Sequence, residues 1–294
     1  MKKLFKIAAA AFSLVIFPMI AHAAPPNPQQ KAALIRSLDA VLPVWGAEVL
    51  RAPAGVDWTG NLNVAGVARS FNLSEVVELA AGAPAGTEGV KGKTGFVRVD
   101  KARGFVRMVN NLLVPRIGAT PIPLPNDDQT NAIGLKALGQ LGIPSGEIGP
   151  SNAATQMAAD GSVASARPDR VSAILRLYSV DRNINKLPVF GSNAVIAITG
   201  RGEVQRLKVQ WPMFKLDVPG GLLTRAEVLD RAGDTMVDQY LRATAVLKAE
   251  IGYAPADNTV GSPYIPVAMI SAADGQTPLL FSVPLTKPSA ADDR

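Results

Sequence analysis

The sequence predicts an α+β protein in which antiparallel β-sheets carry helices packed on one face. Three observations support this fold class. Strand patterns follow one another in the middle of the chain, helical periods begin at capping residues on either side of them, and apolar and polar side chains alternate within the strands. In the second half, the order helix, strands, helix, strands favours helices gathered on one side of an antiparallel sheet.

The clearest strand patterns lie between Leu175 and Trp211. Ala194, Ile196 and Ile198 alternate with Val195, Ala197 and Thr199, and the glycines of the segment 200–203 supply the backbone freedom of a tight turn. The alternation then continues, which predicts a strand with one dry and one solvated face. We expect Gln205, Leu207, Val209 and Trp211 on the dry side and Val204, Arg206, Lys208 and Gln210 on the solvated side.

Two helices and a hairpin are predicted in the first part of the chain. A helix over 27–42 starts with capping residues and is ended by Pro43. The segment 51–63 is expected to be a loop or an edge strand. A second capping pattern predicts a short helix over 72–81, and a hairpin is expected within 96–109.

The later elements are predicted by the same signals. A helix over 129–141 follows the capping residue Asn126, and a second helix follows the capping box at Thr224. Asp160-Gly161 predicts a two-residue turn joining strands 155–159 and 163–166. Further strands are expected at 171–177, at 247–253 with Leu247, Ala249, Ile251 and Tyr253 on one face, at 264–271 and at 279–283.

The first residues are typical of a secretory signal. Lysines at the start precede an apolar run from Ile7 to Ile20, and Ala21-His22-Ala23 has the small residues of a cleavage site. We expect cleavage near Ala23 and export to the periplasm or the medium. No stable membrane span is expected after the signal is removed, because no later stretch is long and apolar enough.

The sequence divides into several expected regions, with the proline-rich segment 114–125 as a stiff connector. They are a signal peptide (1–23), an N-terminal α+β region (24–117), a C-terminal α+β region (118–285) that can comprise two units (128–211 and 223–285), and a flexible tail (286–294).

Composition excludes much catalytic chemistry. The chain has no cysteine, and its one histidine, His22, lies in the predicted signal. The processed chain therefore lacks the groups for Ser-His-Asp or Cys-His catalysis and for His- or Cys-ligated metals. The net charge of +6 falls to +3 when the three signal lysines are removed, and the remaining Arg and Lys are interspersed with acids, so nucleic acid is not the expected partner. We expect no cofactor and no metal.

Two acidic segments invite a metal interpretation. The segment 181–185 begins like a calcium loop, but Lys186 stands where glycine is needed, so a polar turn is favoured. Asn126-Asp127-Asp128 is explained by helix capping. Paired carboxylates are the acid–base chemistry that remains open to such a chain. Their candidates are Glu75, Glu78, Glu203, Glu227 and Glu250.

Aromatic side chains are the candidate partner-binding residues: Trp58, Phe190 and Trp211. Trp58 lies in a glycine-rich loop and is expected to be the most exposed of the tryptophans. Trp211 is also expected to cover the core of its own sheet.

Four short segments carry a family resemblance: LRLY (175–178), LPVFG (187–191), VIAI (195–198) and GEV (202–204). Together they resemble the PepSY and FTP propeptide-type modules of secreted metalloproteases. The resemblance implies cystatin-like units, in which a helix packs on a small antiparallel sheet, and a role in folding or inhibiting a peptidase. Lys186 departs from the glycine of that pattern, and the zinc motif H-E-x-x-H has no counterpart.

These observations favour an exported, non-catalytic module that binds another secreted or envelope protein, as a regulator, inhibitor or folding helper of a peptidase. One alternative is a carboxylate-dependent enzyme acting on glycans or cell-wall polymers, and another is a carrier of lipids or small ligands. An uncovered edge strand would favour the binding module. A pocket with two carboxylates would favour the enzyme, and a large apolar cavity would favour the carrier.

Overall fold

The structure is a computed structural model that describes residues 28–60, 62–73, 87–115, 122–161, 168, 170–218, 220–239, 245–274 and 277–287. The predicted signal, most of the predicted helix 72–81 and most of the tail lie outside these residues. Within them the chain is α+β, with a mixed, mostly antiparallel ten-stranded sheet and four α-helices.

The helices and strands have the following bounds. The helices are α1 (Pro28–Val41), α2 (Val64–Ser70), α3 (Asp127–Gln140) and α4 (Arg225–Gln239), with 3₁₀ turns at Ala47–Leu50, Asn111–Leu113 and Ser145–Glu147. The strands are β1 (Thr87–Gly92), β2 (Gly95–Asp100), β3 (Phe105–Asn110), β4 (Ile148–Asp160), β5 (Arg170–Ile184), β6 (Leu187–Ile198), β7 (Val204–Gln210), β8 (Ala245–Pro255), β9 (Tyr264–Asp274) and β10 (Thr277–Pro284).

The strands form two antiparallel groups that are joined through β6. The first group has the order β1-β2-β3-β7-β6-β5-β4, and the second has the order β8-β9-β10. Strand β8 joins β6 in parallel, with Val189 opposite Tyr253. Strands β3 and β7 lie on opposite sides of the predicted border at residue 117 in the sequence, and they are hydrogen-bonded to each other.

The first group buries one face under α2 and α3. Strand β7 has the predicted alternation, with Leu207 and Val209 buried and Arg206 and Lys208 exposed. The predicted hairpin is also confirmed, since β2 pairs with β3. This core contains Val97, Val99, Val106, Met108, Ala137, Leu138, Tyr178, Ile196, Leu207, Val209 and Trp211, among others.

Helix α3 begins and ends as its sequence predicts. Asn126 Oδ1 accepts the Gln129 N–H at 2.9 Å, and Gln129 Oε1 accepts the Asn126 N–H at 3.1 Å, which completes a capping box. The chain leaves the helix at Gly142, whose φ of +82° suits glycine. The buried side chains of Ala137 and Leu138 fix the helix to the sheet.

The second group packs against α1 and α4 around a separate core. The helix predicted after Thr224 is confirmed, with Val228 and Ala232 buried. In β8 the predicted face is wrong at Leu247, which is 57% exposed. An irregularity between Val246 and Lys248 shifts the register, so the alternation changes face at that point.

Two further expectations are corrected. The predicted two-residue hairpin at Asp160-Gly161 is wrong, because Asp160 pairs with Arg170 and Ala159 with Val171. Strand β4 therefore pairs with β5, and the predicted strand 163–166 lies outside the described residues. Helix α2 lies just after the segment 51–63 and was not predicted; Asn63 caps it by accepting the N–H groups of its first turn.

Gly134 of α3 lies directly against the buried ring of Tyr178. A Cβ at position 134 would fall 2.3–2.6 Å from ring carbons, whereas a Cβ at Gly139 of the same helix would meet nothing within 4 Å. Gly134→Ala should lower the free energy of unfolding by about 1–3 kcal/mol through overpacking. Gly139→Ala should raise it by about 0.5–1 kcal/mol. Urea unfolding measures both, and equal effects of the two variants would contradict this packing.

Candidate functional site

Strand β4 is an open edge of the first strand group. It pairs with β5 on one side, and no other described strand pairs with its opposite side. An edge strand leaves a row of backbone N–H and C=O groups available to another chain. This makes β4 a candidate docking edge.

The composition of β4 does not protect this edge. Its segment 151–159 contains no charged residue and no proline, although natural edge strands commonly carry one or the other. Met157 is 53% exposed. Six residues of the segment are exposed: Ser151, Asn152, Ala154, Thr155, Met157 and Ala159.

The two outer strands at the other ends of the fold differ from β4. Strand β1 carries Glu88, which forms an ion pair with Lys101 at 3.3 Å, and also the exposed Lys91. Strand β10 carries Pro278 and Pro284. Charge and proline hinder strand addition at those edges. The proline and the acid of β4, Pro150 and Asp160, lie outside the segment 151–159, so that segment is the edge best suited to accept a partner strand.

Side chains on one face hold β4 in place. On the α3 side, Ser151 Oγ lies 3.1 Å from Asn131 Oδ1, and Arg176 Nη1 donates to Thr155 Oγ1 at 2.5 Å. Arg176 also bonds Asp127 in the first turn of α3. These contacts fix the strand to a helix that is itself packed on the core.

Contacts on the other face complete the support of β4. Arg206 of β7 donates to Gln156 Oε1, across the intervening strands. The backbone carbonyl of Asn152 accepts a hydrogen bond from Ser179 Oγ at 3.3 Å. A strand that is held from both faces loses little conformational entropy when a partner binds.

Two of the three aromatic candidates are buried. Trp58 is 3% exposed and Trp211 is fully buried, so the expectation of an exposed Trp58 is wrong. The reason is a hydrogen bond of 2.7 Å from Trp58 Nε1 to the backbone carbonyl of Trp211, which draws the indole into the core. Neither ring offers a contact surface here. Phe190 is half-buried and its ring lies against Gly252, and its role in binding stays a prediction.

A buried ion pair lies where the two strand groups meet. The Arg182 side chain is fully buried, and its Nη2 lies 2.7 Å from Glu147 Oε2. Arg182 Nε donates to the same oxygen at 2.9 Å, and Nη1 donates to the carbonyl of Pro212 at 2.5 Å. The guanidinium also lies 5.5 Å from the ring centre of Trp211 and 5.9 Å from that of Phe214. Sequence reasoning missed this pair, since Arg182 lies in a segment read as a polar turn.

Both carboxylate oxygens of Glu147 accept hydrogen bonds. Its Oε2 also accepts Trp211 Nε1–H at 2.9 Å, and its Oε1 accepts the Val56 N–H at 3.1 Å. Burial lowers the pKa of the Arg182 guanidinium, and the charge and hydrogen bonds of Glu147 oppose that shift. A carboxylate bonded in this way joins segments of the chain, and this role differs from that of a free general base.

An aromatic cluster extends from this pair to the second strand group. Phe214 stacks on Tyr264, with ring centres 5.0 Å apart, and meets Tyr253 edge-on at 5.2 Å. Tyr264 OH lies 3.4 Å from Ser192 Oγ. Burial raises the pKa of the Tyr264 hydroxyl, which therefore stays protonated at neutral pH.

A cleft of about 240 Å³ lies between α2, α3 and the β6–β7 turn. Phe71, Leu113 and Ile133 are among its apolar residues, and Lys136 and Glu203 are its charged residues. Glu203 is the one carboxylate in this lining, so the cleft does not supply the carboxylate pair that glycoside hydrolysis uses.

The two acidic segments, 126–128 and 181–185, have structural roles in the fold. Asn126 caps α3, as predicted. The segment 181–184 lies in β5, and Asn185 and Lys186 form the turn with φ values of +54° and +64°, so a turn replaces the calcium loop there. Among the described residues, no three His, Cys, Asp or Glu side chains are grouped closely enough to hold a metal ion.

Comparisons with known proteins give limited similarity. No protein-family model and no curated protein sequence matches the chain. Among solved structures, the chain is similar to the Bacillus megaterium YpeB C-terminal domain, with 11% identity and a TM-score of 0.34, over 76% of this chain and 92% of that one. Across the described part of the chain, no helix has the length and hydropathy required to span a bilayer.

Glu147→Gln removes the charge that neutralises Arg182 while keeping the shape of the side chain. We expect it to lower the free energy of unfolding by about 3–5 kcal/mol, because a buried guanidinium is left uncompensated. The matched control is Glu250→Gln, which breaks the exposed pair with Lys248. That control should change the free energy of unfolding by less than about 1 kcal/mol. Chemical unfolding gives both values, and a loss below 1 kcal/mol for Glu147→Gln would refute the central role of the pair.

Proposed function

We propose that this protein is an exported, non-catalytic binding module that holds another secreted or envelope protein by adding a strand of that partner to β4. The single observation that carries the proposal is the free edge of β4, which has nine consecutive residues without charge or proline. In strand addition the backbone hydrogen bonds supply affinity, and side chains on alternating faces supply specificity.

The local surroundings of β4 support this mode of binding. Met157 and Ala154 are exposed on the edge strand, so a partner strand would find apolar contacts beside its backbone bonds. The edge is also fixed in advance by Arg176 and Arg206 on its two faces. An edge ordered before binding loses little conformational entropy when the partner arrives.

The partner we propose is a secreted peptidase, for which the module would be a regulator, inhibitor or folding helper. Support for this finer proposal comes from the PepSY-like segments of the sequence, which include LPVFG at 187–191. That segment begins β6, the strand that joins the two groups. An extended segment of a peptidase would suit strand addition, because the backbone pattern of β4 does not require a particular partner sequence.

Charge introduced on β4 should block the partner. We expect Ala154→Lys combined with Met157→Lys to weaken binding at least about tenfold, which corresponds to about 1.4 kcal/mol, since lysine on an edge strand opposes strand addition. The matched control is Leu247→Lys combined with Leu280→Lys. It adds the same charge at two exposed apolar residues of the second strand group.

The measurement is photo-crosslinking of the full chain in the secreted and envelope fractions of its source cells. A photoreactive residue at Met157 should give a discrete adduct that mass spectrometry identifies as a protein. The adduct should be lost when Ala154→Lys is added and kept when the control pair is added. A photoreactive residue at Leu280 that gives the same adduct, or no adduct from Met157, would reject β4 as the binding edge.

A further inference from the structure

Three cations lie in a row across the solvated face of the first strand group. Arg98 of β2 is directly opposite Arg107 of β3, and Arg107 is directly opposite Lys208 of β7. Directly opposite residues project from the same face with Cβ atoms about 5 Å apart. All three side chains are exposed.

Two more cations lie in the adjoining row. Lys91 of β1 is opposite Phe96, Phe96 is opposite Val109, and Val109 is opposite Arg206. Lys91 and Arg206 are also exposed. Helices α2 and α3 cover the opposite face of these strands, so this face is open among the described residues.

No acid occupies either row within the described strands. The first row continues through Val195, Ser179 and Asn152, and the second through Ala197, Leu177 and Ala154. None of the five cations forms an ion pair with a described acid; Arg107 instead lies over the Phe96 ring at 5.5 Å. In the sequence these cations are interspersed with acids, and the strand register is what gathers them.

Like charges on directly opposite residues oppose folding, and this sheet carries two such pairs in succession. The face, defined here as the basic face by Lys91, Arg98, Arg107, Arg206 and Lys208, therefore has an unbalanced positive field. An anionic ligand would relieve that repulsion. The rows of the basic face reach β4, where Arg206 bonds Gln156, but its cations lie on β1, β2, β3 and β7, and the inference does not depend on the function proposed for the β4 edge.

We propose that the basic face docks the protein on an anionic phospholipid surface. A protein partner is usually matched by a pattern of both signs and by shaped pockets. Within its two rows this face presents one sign, with Phe96, Val109 and Val195 beside the cations. The next row on the same face contains Asp100, which pairs with Arg103, and Asp181. Two neighbouring rows of cations with apolar side chains among them suit a layer of lipid headgroups, which is uniformly anionic and adapts to the positions of the charges.

The test is co-sedimentation of the exported chain with vesicles of equal phosphatidylglycerol and phosphatidylcholine, compared with vesicles of phosphatidylcholine alone. The chain should bind the anionic vesicles and release from them as salt is raised, since exposed charges are screened. Arg98→Gln combined with Arg107→Gln should weaken partitioning roughly 20-fold, because each cation near the surface contributes about fivefold. The matched control, Arg36→Gln with Arg69→Gln, removes two exposed cations located on α1 and α2.

Each result decides the proposal. Loss of binding in the Arg98 and Arg107 variant but not in the control supports it. Equal loss in both variants, or equal binding to the two kinds of vesicle, overturns it. Binding to polyglutamate or to single-stranded DNA without binding to anionic vesicles also overturns it. Thermal unfolding keeps the test valid, because the Arg98 and Arg107 variant should be as stable as the parent chain or more stable once the repulsion is reduced.

Discussion

The buried pair of Arg182 and Glu147 constrains how the rest of the fold fits together. Arg182 comes from the end of β5, and Glu147 from the 3₁₀ turn that precedes β4. The same carboxylate binds the Val56 N–H and the Trp211 indole, so one acid joins four segments that are distant in sequence. Each charge is stable in the interior only because the other is present. The position of β4 therefore follows from an interaction at its own N-terminal end.

Strand β6 transmits this constraint to the second strand group. One part of β6 pairs with β5 and β7, and its Val189 pairs with β8. Phe214, Tyr253 and Tyr264 pack in one cluster with residues of both strand groups. The two cores lie between the strands and their helices. Strand β4 lies at the edge of the first group and is held there by Arg176 and Arg206. This arrangement provides a rigid edge, and rigidity lowers the entropic cost of strand addition.

Local sequence patterns predicted the elements whose stability is local. The alternation in β7 and the capping box at Asn126 depend on residues that are close in sequence, and the structure contains both. Features that depend on distant contacts were not predictable. Trp58 lies in a loop but is held inside by the carbonyl of Trp211, and Arg182 is buried because Glu147 is folded next to it. The face of Leu247 depends on a one-residue irregularity that leaves no pattern in the sequence.

The sequence predicted contact surfaces in general but did not predict β4 as an open edge. The chain has no cysteine and no histidine after the predicted signal, which favoured contact surfaces as its function, but two of the three aromatic residues predicted for that role are buried. The turn signal at Asp160-Gly161 predicted a partner strand at 163–166, whereas β4 pairs with β5, which begins at Arg170. Whether a strand lies at an edge depends on the order of all strands in the sheet, which the local sequence pattern does not give.

The most direct test of the central claim is residue-resolved amide hydrogen exchange over 151–159 in the free chain. In an antiparallel edge strand, successive amides point alternately towards the neighbouring strand and away from it. If the edge of β4 is free, alternate amides should exchange rapidly while those bonded to β5 stay protected. Protection of every amide along the segment would mean that the edge is already covered, and would contradict the account.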